Sequence, residues 1–103
     1  MDKNFAIGAS SPESSEYREQ IKRLICEQRS KGELHNVIVI GIFTEEDENE
    51  RLDAIATIVK VGSEIAVETL RIVNSHDPSK MVRTKAEEYL RSLLGSKYDN
   101  LDL

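Results

Sequence analysis

A weak internal echo at a spacing of thirty residues constrains this chain more than any other feature. Gly32 recurs as Gly62, Asp47 as Asp77, Leu52 as Val82 and Ala56 as Ala86, and each pair falls at a comparable place in a helical pattern. A period of this size is the mark of stacked helical hairpins. No single unit buries its own apolar face, so neighbours supply the cover. The pattern therefore predicts an all-α chain and points to binding rather than catalysis.

At 103 residues the chain holds one domain with one modest core. A charged fraction of 32% and a net charge of -5 favour solubility and speak against nucleic-acid binding by bulk electrostatics. The charge is uneven. Glu45, Glu46, Asp47, Glu48, Glu50 and Asp53 crowd one stretch against a single Arg51, while the stretches around Arg18 to Lys31 and Lys80 to Lys97 lean basic. Solvated helix surfaces account for most of this. Cys26 is the only cysteine, so no internal disulfide forms and the expected compartment is the cytoplasm. Residues 1 to 15 lack the order of a signal peptide, and no apolar run reaches membrane-spanning length.

Residues 1–11 read as a flexible N-terminal arm, residues 12–95 as the helical repeat domain and residues 96–103 as a flexible acidic tail. Ser11, Pro12 and Glu13 form helix-start grammar, opening a helix to about residue 31 with Tyr17, Ile21, Leu24, Ile25 and Gln28 on one face. Gly32 stops it. The segment 36–43 is double-edged: Leu34, Val37, Ile38, Gly41 and Ile42 make a helical stripe, yet the run from Val37 to Phe43 also suits a buried strand. The repeat register favours a helix; the alternative is a small α/β domain with a strand at 36–43. Thr44 to Asp47 matches a capping box, and the acids beyond it suit the positive end of a helix dipole. The next helix, about 47 to 61, carries Leu52, Ile55, Ala56 and Val59 inward and ends at Gly62. Ser63 is expected to cap a helix to about Asn74, with Ala66, Val67, Leu70 and Val73 inward. Asp77 and Pro78 open the last helix, with Val82, Ala86, Tyr89, Leu90 and Leu93 as its stripe and Gly95 as its stop.

From Ala54 to Leu90 the sequence resembles the HEAT-like repeats of the phycobilisome-lyase type. The likeness rests on Ala56, Val59, Gly62, Ala66, Leu70, Asp77, Pro78, Val82, Arg83, Ala86 and Leu90, about one repeat plus the next helix. It thins upstream, where Leu52 and Asp53 stand in place of Val-Arg, and Lys80 and Met81 stretch the Asp-to-Val spacing by about a residue. The resemblance implies a short α-solenoid of about five antiparallel helices. In that pattern Gly32 and Gly62 turn the chain, and Asp77 caps its helix. Arg83 reaches a carboxylate or carbonyl of an adjoining loop, while Ala56 and Ala86 stay small at close helix crossings.

Chemistry-bearing constellations are scarce. His35 at a helix start and His76 in a turn read as solvated or capping groups, and Cys26 as a small buried residue matching Ala56 and Ala86. Gly41 is followed by acids and no further glycine, which argues against a phosphate loop; the acidic run lacks the glycine and alternation of a calcium loop. The expectation is a non-catalytic protein–protein interaction module or adaptor with no cofactor and no metal. It would bind a protein partner or a second copy, and a basic partner would meet Glu45, Glu46, Glu48 and Glu50. The alternative, which the resemblance alone implies, is a component of a bilin lyase or a related enzyme complex.

Overall fold

The computed structural model describes residues 15–95. Five helices account for them: α1 (Ser15–Ser30), α2 (Leu34–Gly41), α3 (Glu48–Val61), α4 (Ser63–His76) and α5 (Lys80–Leu94), with a short 3-10 turn at Ile42–Thr44 continuing α2. No strand occurs among the described residues, and the segment 36–43 is helical up to Gly41. The expected cap at Ser11 to Glu13, the N-terminal arm, the acidic tail and the Ser63 side chain lie outside the described set.

The glycine stops act as the sequence predicts. Gly32 adopts φ 78° after α1, where its own N–H reaches the Arg29 carbonyl at 3.0 Å and the Glu33 N–H reaches the Gln28 carbonyl at 2.9 Å. This pair of backward bonds satisfies carbonyls that the helix end would leave bare, and its left-handed residue suits glycine. Gly62, at φ 76°, both ends α3 and occupies the N-cap position of α4. The other caps differ from expectation. Thr44 does not cap α3; its hydroxyl donates back to the Gly41 carbonyl at 2.7 Å, while Asp47 caps by accepting from the Asn49 N–H at 2.9 Å. Nor does Asp77 cap α5, because Ser79 holds that place and accepts from the Val82 N–H at 3.2 Å.

Burial sets the helix faces. Tyr17, Ile21, Leu24 and Gln28 of α1 are buried, as are Ala66, Leu70 and Val73 of α4 and Val82, Ala86 and Leu90 of α5, all on the expected stripes. Two stripes are rotated. In α2 the inward residues are Asn36, Val39 and Ile40, followed by Phe43, whereas Leu34 and Ile38 face solvent. The cause is a buried amide pair: Asn36 Nδ2 donates to Gln28 Oε1 at 2.8 Å, and a buried amide must be bonded, which fixes the face turned to α1. In α3 the inward residues are Arg51, Ala54, Ile55 and Ile58; Leu52 and Val59 are half-buried and Ala56 is exposed. Cys26 and Leu93 are also exposed, against expectation, and Val67 and Tyr89 are half-buried.

The rotation in α3 revises the repeat. From α2 to α4 the thirty-residue offset holds, pairing Asn36 with Ala66, Ile40 with Leu70 and Phe43 with Val73 as buried positions. From α3 to α5 the offset is thirty-two, pairing N-caps Asp47 and Ser79, buried Ala54 with Ala86, and Ile58 with Leu90. The connections before α3 (45–47) and before α5 (77–79) are equally long, so two extra residues at the C-terminal end of α4 account for the change, and Asp47 does not correspond to Asp77, nor Ala56 to Ala86. α1 packs mainly on α2 and α4; α3 meets α2, α4 and α5; and α4 and α5 form an extensive hairpin.

Candidate functional site

The most concentrated polar chemistry lies inside the molecule. Arg51, in the first turns of α3, is fully buried and grips the equally buried Asp77 through two parallel bonds, Nε to Oδ2 and Nη2 to Oδ1, each 2.8 Å. Its Nη1 donates to the main-chain carbonyls of Glu45 at 2.9 Å and Glu46 at 3.0 Å. Asp77 accepts twice more, from the Tyr17 hydroxyl at 2.7 Å and from the Ser79 N–H at 2.9 Å. Four donors thus fill both carboxylate oxygens. A buried ion pair of this kind is tolerable because the geometry is bidentate and the remaining acceptor sites are taken.

The network ties α1, α3 and the connections before α3 and α5 to one carboxylate. Around it, Arg83 Nη1 donates to the Asp77 carbonyl at 2.7 Å, the adjoining-loop contact that the repeat pattern implies for this arginine. The device occurs twice, at positions thirty-two residues apart: Arg51 and Arg83 each reach back to the carbonyl of the residue six before them, Glu45 and Asp77 respectively. The Ser79 hydroxyl donates to Glu48, coupling the N-terminus of α5 to that of α3. The rings of Tyr17 and His76 stack at 6.3 Å. Burial, and after it the neighbouring Asp77 carboxylate, pushes the Tyr17 hydroxyl well above the ordinary tyrosine range, with Arg51 opposing. A saturated carboxylate and a phenol held neutral offer no base and no nucleophile to a substrate. The cluster is therefore a pin between helices.

The surface candidates are more dispersed. Glu45, Glu46 and Glu50 are exposed, whereas Glu48 is half-buried and bonded to Ser79. The main chain of Glu45 and Glu46 serves Arg51, so these acids have a structural place whatever their side chains meet. Gly32 and Gly62 hold positive φ at helix ends, Val82 and Ala86 are buried, Arg83 donates to the Asp77 carbonyl, Pro78 sits exposed between Asp77 and Ser79, and Ala56 is exposed. His35 is exposed and His76 half-buried. Among the described residues the most exposed large apolar groups are Leu34 (61%) and Ile38 (67%), one turn apart on α2, a helix without an acid, lysine or arginine. Reading the sequence as apolar stripes missed Arg51 and the Tyr17 hydroxyl. The available signal was a lone arginine among six acids, on a position that the helical period turns inward.

Among the described residues no group of three or more His, Cys, Asp or Glu is placed to hold a metal ion, and no helix is long and apolar enough to cross a membrane. No family model, no curated protein and no solved structure matches the chain.

Proposed function

We propose that this chain is a non-catalytic protein-interaction module, built as a short HEAT-like array and binding through the outer face of α2. The observation that carries the reading is the exposure of Leu34 and Ile38 on a helix that lacks acids, lysine and arginine. Apolar surface costs about 25 cal/mol per Å² in water, and a partner or a second copy removes that cost. The array is supported by the arginine device at Arg51 and Arg83 and by the paired small residues Ala54 and Ala86. The buried, saturated Asp77 supports a non-catalytic role. Exposed Glu45 and Glu46 follow the 3-10 turn that continues α2, exposed Glu50 lies in the first turn of α3, and together these acids suit a basic partner.

The test is affinity capture from native lysate with the parent protein and a Leu34→Asp/Ile38→Asp variant of matched helicity. The reading expects a reproducible set of proteins, or the chain itself, to be held by the parent and lost by the variant. An unchanged set would overturn it.

A further inference from the structure

A polar cleft of about 350 Å³ opens between the end of α1 and the starts of α2 and α4, away from the Arg51–Asp77 pin. Gln28 and Asn36 lie in its wall at only 5% and 8% exposure. Their mutual bond uses Asn36 Nδ2 and Gln28 Oε1 and leaves Gln28 Nε2 and Asn36 Oδ1 without a partner among the described residues. One donor and one acceptor of these two largely buried side chains, both atoms open to solvent, therefore remain for whatever enters. Glu33, Glu64 and Glu68 line the same cleft with Lys31, and none of the three carboxylates is in an ion pair or hydrogen bond through its side chain among the described residues. Helix starts explain Glu33 and Glu64, since the dipole favours acids there, but Glu68 lies beyond the first turn of α4. Val61 and Ile65 supply an apolar strip beside these groups.

We infer that this cleft receives an arginine side chain from an extended segment of a partner protein. A guanidinium offers several donors to Asn36 Oδ1 and the carboxylates, its methylene stem covers Val61 and Ile65, and its peptide carbonyl accepts from Gln28 Nε2. The net charge of the lining, three acids against one lysine, suits a cation and disfavours an anion. The inference rests on the protein-interaction reading and adds a recognition element to it.

The probe is the capped tripeptide acetyl-Gly-Arg-Gly-amide, titrated into isotopically labelled protein and followed by amide NMR, beside the same peptide with neutral citrulline in place of arginine. Saturable shifts confined to residues 28–36 and 61–68, including the side-chain amides of Gln28 and Asn36, are expected for the arginine peptide and not for the citrulline peptide. A Glu64→Gln/Glu68→Gln variant should bind the arginine peptide about tenfold more weakly with its remaining spectrum unchanged. Equal responses to both peptides, shifts spread over all acidic surfaces, or no saturation would overturn the proposal, and the comparison on the parent protein decides this without the variant. Failure here leaves the Leu34/Ile38 capture result standing, so the two readings fail separately.

Discussion

Asp77 shows how one residue type serves different ends according to burial. On a surface it would cap a helix; here its carboxylate is surrounded by Arg51, Tyr17 and the Ser79 N–H, and removing any donor leaves part of a buried charge unpaired. Tyr17→Phe should therefore lower stability by about 1.5 to 3 kcal/mol near neutral pH, read by urea denaturation. The pH dependence has a definite sign. The fold raises the Tyr17 hydroxyl above its ordinary value of about 10, so above that pH the unfolded chain binds fewer protons than the native one and stability falls as pH rises. The phenylalanine variant lacks this loss. Its deficit relative to the parent should shrink between about pH 9 and about pH 11, and a constant gap across that range would contradict the buried, neutral phenol.

At the scale of helices, Ala54 and Ala86 are buried while Ala56 is exposed. Ala86→Leu and Ala54→Leu should each destabilise by about 1 to 3 kcal/mol through overpacking, whereas Ala56→Leu should stay within about 0.5 kcal/mol because its side chain faces solvent. Chemical denaturation of the three variants checks the ordering; an Ala56→Leu cost equal to that of Ala86→Leu would restore the thirty-residue register. Helix existence and the stops at Gly32, Gly62 and Gly95 were legible because period and left-handed glycine are local signals. The α2 and α3 faces were not, because Asn36 and Arg51 are polar residues that turn inward to partners eight and twenty-six positions away. Hydropathy assigns such residues to solvent. Only the fold brings Gln28 and Asp77 to them, and the same non-local pairing hid both the pin and the cleft.

Among the described residues, the sealed pin at Arg51 and Asp77 contrasts with the exposed acids Glu45, Glu46 and Glu50. Reversing Glu46 and Glu50 to lysine should leave helicity intact, since the main chain of Glu46 and not its carboxylate serves Arg51, while slowing association with a basic partner and weakening its salt dependence. Unchanged association kinetics at low salt would assign the contact to the apolar face of α2 alone. With Asp77 pinned by Arg51 and Tyr17, the connection between α4 and α5, though a loop, should be held as firmly as the helices. Native-state hydrogen exchange at the Ser79 amide, which donates to Asp77 Oδ1, tests this directly. The account predicts exchange only through global unfolding, at the protein's full stability of about 5 to 15 kcal/mol and with a steep denaturant dependence. Fast exchange through a local opening that denaturant does not affect would contradict it.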